Sequence, residues 1–239
     1  MRQNNLPLIK FGESKEVRFK LLMDYYHTSE NILLQIANLK QNERKVVCKL
    51  HNIDPYIIRT MLDYNRYREC ASVYDLLRKC GENISEFEVL DFGCLVADYG
   101  IFFARSKARI SVYDKEEVVK FVKFRFSQEN LFVNTFTIPC DYNYMMAGKD
   151  LVIFGEVLEH LDNPVEPLNA CISQSVRNIF TTCYPFGDDN YFNMPGHSRS
   201  AQELQPTCIQ LLLTQYEPIP SLKKAVLWRR IDLTPEKRT

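Results

Sequence analysis

After Gly81 the chain changes rhythm, and that change constrains its fold more than any other feature. Short apolar runs of strand length (FEVLDF, RISVYD, LFVNTFTI, DLVIFGE and VRNIFTTC) alternate with segments of helical spacing. GIFFARS and KEEVVKFVKFRF are two of these, the second with Val118, Phe121, Val122 and Arg125 three and four residues apart. NPVEPLNACISQS, opened by Asn163-Pro164, and AQELQPTCIQLLL are two more, and Ala225 to Ile231 reads as a last strand. Strands that alternate with helices join by right-handed crossovers, and the resulting parallel sheet is buried on both faces. The prediction is an α/β, doubly wound, mostly parallel sheet with helices on both faces. One connection departs from that plan: Cys140 to Lys149 is too short for a good helix.

The residues before Gly81 read as helices. SENILLQIANLK places Ile32, Leu33, Ile36 and Leu39 on one face behind Ser29, a natural N-cap. Asp54-Pro55 opens another helix, with Pro55 at the first position, where a missing N–H costs nothing. ASVYDLLRKCG ends on Gly81, a C-terminal cap. The expected organisation is an N-terminal helical extension over 1–84 and an α/β domain over 85–239.

Thirty basic and thirty acidic residues give a formal net charge of zero, so no overall field draws the chain to nucleic acid. Lys223, Lys224, Arg229, Arg230, Lys237 and Arg238 cluster late and read as a solvated edge and tail. The eight cysteines form no C-x-x-C pair and no zinc or disulfide pattern. No apolar run has signal-peptide or membrane-spanning length. Free thiols in a reducing cytoplasm, away from membranes, are the expectation.

In such a sheet, ligands bind at the carboxyl ends of the strands, near the point where strand order reverses. The ends carry acids and glycines in sequence: Asp91, Gly93 and Cys94 after the first strand, Asp114 after the second, Asp141 after the third, Gly155-Glu156 after the fourth. LDFGCLVADYG has the layout of a nucleotide-binding turn, yet Leu95 and Ala97 stand where further glycines would let the backbone approach a ligand. A β-carbon at either position disfavours the left-handed backbone that glycine permits.

The stretch DLVIFGEVLEHLDNP, Asp150 to Pro164, resembles the fourth strand and following segment of class I S-adenosylmethionine-dependent methyltransferases. The likeness runs from about Phe87 to about Leu213: VLDFGC resembles that family's first motif, VYD its second, IPCD its third-strand end, and FTTCYPFG…PGHSRSAQEL its segment after the fifth strand. The resemblance implies a seven-stranded type of sheet and S-adenosyl-L-methionine as cofactor. Asp114 would then bind the ribose and Asp141 the adenine, while Asp91, Gly93, Cys94 and Gly155 line the methionine side. It also implies a lid drawn from the N-terminal helices and the loop after the fifth strand. Tyr25, Tyr26, Tyr64, Tyr67, Tyr184, Tyr191 and Phe192, with Arg66 or Arg68, are available there for a small, polar acceptor.

The expected reaction is methyl transfer to an oxygen or nitrogen of a small molecule, with Glu156, His160 and His197 as candidate catalytic groups. On a helix leaving the fourth strand, Glu159 and His160 would follow Glu156 on roughly one side. Glu156, Glu159, His160 and His197 resemble the divalent-cation set of small-RNA 2′-O-methyltransferases, which gives one alternative, a metal-assisted RNA 2′-O-methyltransferase. The plain reading of E-V-L-E-H-L is helix-start hydrogen bonding and packing, with no metal. The glycine-poor turn gives another alternative, a catalytically inactive scaffold of the same fold that serves binding or assembly.

Overall fold

The computed structural model describes residues 14–63, 67–185, 194, 196–221 and 225–231. Tyr64, Arg66, Tyr191, Phe192, Lys223, Lys224, Lys237 and Arg238 lie outside them, as do the side chains of Tyr67 and Arg68. The chain forms two compact units, Met1–Tyr67 and Arg68–Thr239.

The first unit holds helices α1 (Lys15–Tyr26), α2 (Glu30–Asn38), α3 (Gln41–Leu50) and α4 (Pro55–Asp63). Their starts follow the sequence chemistry. Ser14 and Ser29 accept the N–H groups of Val17 and Ile32, and Asp54 accepts those of Tyr56 and Ile57 at 2.7 and 3.0 Å. Leu22, Leu33, Ile36, Ile57, Ile58 and Met61 are buried and form the apolar centre. The Tyr26 hydroxyl is spent inside this unit, accepting the Asp54 N–H at 3.3 Å.

The second unit opens with α5 (Tyr67–Lys79), which the sequence groups with the helices before it. Tyr74 on α5 packs edge-on against Phe102, and the Tyr99 hydroxyl donates to Glu69 at 2.8 Å. Gly81 follows at φ 81°, in the left-handed conformation expected of the cap.

Seven strands then build one sheet: β1 (Glu88–Phe92), β2 (Arg109–Asp114), β3 (Asn134–Thr137), β4 (Leu151–Gly155), β5 (Asn178–Thr182), β6 (Tyr216–Pro220) and β7 (Ala225–Arg230). Their order is β3-β2-β1-β4-β5-β7-β6. β1 to β5 pair in parallel, whereas β7 runs antiparallel to both β5 and β6. The sheet is therefore mixed, with one strand reversed. Helices α6 (Asp98–Arg105), α7 (Glu116–Ser127), α8 (Tyr142–Met146), α9 (Val165–Ser173) and α10 (Arg199–Leu213) make the connections. The short third crossover does fold into a helix, of five residues, because Asp141 caps it by accepting the Tyr144 N–H at 2.8 Å.

Strands β4 and β5 are buried on both faces apart from Gly155, as an interior parallel pair requires. Their core includes Phe92, Phe154, Tyr184 and Trp228. Trp228 is fully buried, and its indole N–H finds Thr181 Oγ1 at 3.1 Å, so no polar atom of the ring is stranded. Arg177 links Glu82 at 3.1 Å and Asp150 at 3.5 Å.

Candidate functional site

The chain runs outward from β1 through β2 to β3, then crosses back to β4. The reversal falls between β1 and β4, so the turns that leave these two strands flank the crevice where ligands of such sheets bind. Several residues of this rim have left-handed backbone. After β1 come Gly93 (φ 66°), Leu95 (48°) and Ala97 (54°); after β4 comes Glu156 (55°), and after β5 Cys183 (63°). A left-handed residue with a β-carbon is disfavoured by roughly 1–2 kcal/mol, and strain of this kind collects at functional sites. Leu95 and Ala97 thus keep the conformation of a glycine turn without its glycines.

The first turn is closed by the acids around it. Gly93 and Cys94 donate their N–H groups to the Tyr113 carbonyl at 2.8 and 3.3 Å. Ala97 donates to the Cys94 carbonyl at 2.7 Å. The Leu95 N–H meets Asp114 Oδ2 at 2.9 Å, and Asp114 Oδ1 accepts the Lys115 N–H at 2.7 Å. Two backbone donors fix the plane of a carboxylate that has about four acceptor positions. Asp91 is buried and takes the Gly100 N–H at 2.9 Å, so it ties β1 to the first turn of α6. Burial, with Asp114 and Asp91 nearby, pushes the Cys94 thiol well up, which makes it inert as a nucleophile at neutral pH. Gly93 has a steric reason as well: a β-carbon there would sit 2.3 Å from Val157 Cγ2.

Asp141 lies four residues beyond the end of β3, as the exposed cap of α8. Gly155 and Glu156 follow β4, and the Glu156 N–H donates to Thr182 Oγ1 at 2.8 Å, which ties the two strand ends together. The segment that follows is not the α-helix expected: Leu158–His160 form a single 3₁₀ turn. The left-handed Glu156 turns the chain before a helix can start. Glu156 therefore does not share a face with Glu159 and His160. Glu159 turns inward and is 1% exposed, while His160 stays at the surface.

Tertiary structure supplies the third partner. His197 returns to the same spot, with its ring centroid 4.8 Å from that of His160 at 83°. The Ser198 N–H donates to the Glu159 carbonyl at 2.7 Å and fixes this approach. Ligand atoms of Glu159, His160 and His197 lie within 4.8 Å of one another. His160 Nδ1 is 2.7 Å from the Gly196 carbonyl. A carbonyl only accepts, so Nδ1 carries the proton of that bond and the Nε2 lone pair is available for a base or a metal.

Sequence reasoning missed Thr182, Cys183, Val157 and Arg125 as parts of this rim. Only the left-handed backbone and long-range packing reveal the first three; Arg125 gave a signal, a charge on the apolar face of its helix. Tyr184, offered as a pocket residue, is fully buried and donates its hydroxyl to the Ala201 carbonyl at 3.0 Å.

No protein-family model matches the chain, and no curated protein matches it in sequence. Solved structures do. Magnesium protoporphyrin IX methyltransferase from Synechocystis, solved with S-adenosylhomocysteine bound, superposes with a TM-score of 0.51 at 15% identity, over 88% of this chain and 99% of that one. A candidate caffeoyl-CoA O-methyltransferase from Staphylococcus aureus gives 0.50 at 10% identity, over 89% and 99%. The methyltransferase domain of a bacterial Hen1 gives 0.46 at 15% identity, over 69% and 98%. The chain has the class I S-adenosylmethionine-dependent methyltransferase fold. At these identities the likeness is one of fold.

Proposed function

We propose that the chain is an S-adenosylmethionine-dependent methyltransferase that acts on an oxygen or nitrogen of a small-molecule acceptor. One observation carries this reading: the turn at the switch point keeps left-handed geometry at Leu95 and Ala97, with Asp114 held against it. Single left-handed residues also follow helices α6, α7 and α9, at Lys107, Asn130 and Ser175, but this turn holds two with β-carbons, two positions apart, beside the acid that ends β2. The Synechocystis neighbour, solved with S-adenosylmethionine and with its demethylated product, supports the choice of cofactor.

In this reading Asp114 holds the ribose hydroxyls, with its orientation set by the Leu95 and Lys115 N–H groups. Asp141 faces the adenine amino group. Gly93, Cys94 and Gly155 border the methionine end, and Asp91 acts from behind by fixing the start of α6. The cofactor supplies an electrophilic methyl carbon on a sulfonium, an excellent leaving group. The protein's contribution is alignment in a dry crevice and removal of the acceptor's proton. His160, with Nδ1 bonded to Gly196, presents Nε2 as that base; Glu156 and His197 are the other candidates.

Titration calorimetry with S-adenosylhomocysteine is the test. Micromolar binding is expected, and Asp114→Ala should weaken it at least about tenfold, or ~1.4 kcal/mol, with an unchanged circular dichroism spectrum. Absence of binding at millimolar ligand would leave the inactive scaffold as the better account.

The convergence of Glu159, His160 and His197 favours a second reading, in which a divalent cation assists the transfer. Two imidazoles and a carboxylate suit manganese or zinc better than magnesium. Glu156 is not a member of the cluster. Manganese binding, followed by its electron spin resonance signal and lost in His197→Ala, would support this; methyl transfer that survives chelator unchanged would end it. Among the described residues no helix is long and apolar enough to cross a membrane.

A further inference from the structure

Glycine permits left-handed backbone; it does not impose it. A turn with side chains at two left-handed positions needs an outside constraint, and the sequence of α7 contains one. Its core-facing side carries Val118, Phe121, Val122 and Phe126, all buried, and then Arg125, only 2% exposed. A guanidinium among aromatic and aliphatic side chains is costly unless it is paired. Here both of its terminal nitrogens are paired to the turn. Nη1 of Arg125 donates to the Val96 carbonyl, and Nη2 lies 2.9 Å from Oδ1 of Asp98, itself buried.

Those two acceptors bracket Ala97. Val96 stands between the two left-handed residues, and Asp98 is the first residue of α6. A planar guanidinium presents donors at fixed spacing, so it holds two acceptors in one relative orientation, which an ammonium cannot do. Charge neutralisation explains the contact with Asp98. It does not explain why the second donor is used on a backbone carbonyl between two disfavoured residues. The C-terminal end of α6 is fastened separately, by Arg105 to Glu129 just beyond α7 at 2.8 and 2.6 Å. Arg125 is therefore not the sole tie between α6 and the end of α7.

We propose that Arg125 is a positioning residue for the cofactor turn: it holds Val96 to Asp98 in the geometry that glycines would otherwise make accessible. The Leu95 N–H then meets Asp114, and Asp114 faces the crevice. The inference deepens the methyltransferase reading and rests on it for the identity of the ligand.

The experiment uses the full chain. Hydrogen exchange without ligand should show the amides of Leu95, Ala97 and Gly100 exchanging at least tenfold faster in Arg125→Gln, with those of β5 little changed. Affinity for S-adenosylhomocysteine should fall at least tenfold in the same variant. Adding Leu95→Gly and Ala97→Gly should restore it to within about threefold of the wild-type chain. Should Arg125→Gln not fold, Arg125→Lys serves; it keeps the ion pair but lacks the fork, so the same three amides should accelerate. Uniform acceleration across the whole sheet would overturn the proposal, since Arg125 would then support global stability only. So would a glycine-substituted variant that binds no better than Arg125→Gln. If the wild-type chain binds no S-adenosylhomocysteine at all, the proposed function fails, while the local exchange result still decides the role of Arg125.

Discussion

At the scale of single residues, the rim is governed by which backbone conformations side chains tolerate. Gly93 combines φ 66° with a neighbour 2.3 Å from any β-carbon. Gly93→Ala should therefore lose roughly 1–3 kcal/mol in urea unfolding, and Val157→Ala in the same chain should recover part of it. Gly81, also left-handed, has nothing within 4 Å of such a β-carbon, so Gly81→Ala should cost less. The acids at the strand ends were legible in the sequence, because an acid that ends an apolar run needs a partner. Their partners were not. Asp91 holds a backbone N–H, Asp141 caps a helix and Asp114 anchors the glycine-poor turn. Each of these bonds depends on where α6, α8 and the turn come to rest.

At the scale of elements, caps could be read directly because they depend on neighbours in sequence. Ser29, Asp54-Pro55 and Gly81 all sit at the ends expected of them. Asp54→Ala should remove two helix-start hydrogen bonds and destabilise the helical unit by about 1 kcal/mol, seen as a lower urea midpoint. Two elements escaped the sequence reading for identifiable reasons. β6 contains Pro218 and Pro220, which argue against a strand; it forms because it lies at the sheet edge and pairs only with β7. The segment after β4 has helical spacing but follows the left-handed Glu156, so only one 3₁₀ turn survives before Asn163-Pro164 starts α9. That one conformational choice sends Glu159 inward and leaves Glu156 out of the cluster.

At the scale of the whole molecule, burial of polar side chains sets the response to pH. Burial, reinforced by Tyr142 close by, pushes the Tyr113 phenol up to about 12, and burial also raises Tyr26 and Tyr184. These groups keep their protons more firmly folded than unfolded, so their contribution is complete below the ordinary tyrosine value near 10 and falls as pH rises towards 12. Urea midpoints should be level between pH 7 and 9 as far as tyrosines are concerned, and fall between pH 10 and 12; a midpoint that rises over the upper range would contradict this. The same contrast of local and distant interactions separates what could be read early from what could not. By itself the sequence determined the alternation of strand and helix, the zero net charge, the caps and the order of acids along the strand ends, all properties of neighbours along the chain. Only the tertiary structure decided that β7 is reversed, that Leu95 and Ala97 hold glycine-like backbone under the fork of Arg125, and that His197 meets Glu159 and His160. Those outcomes depend on contacts between residues far apart in sequence, which no local pattern encodes.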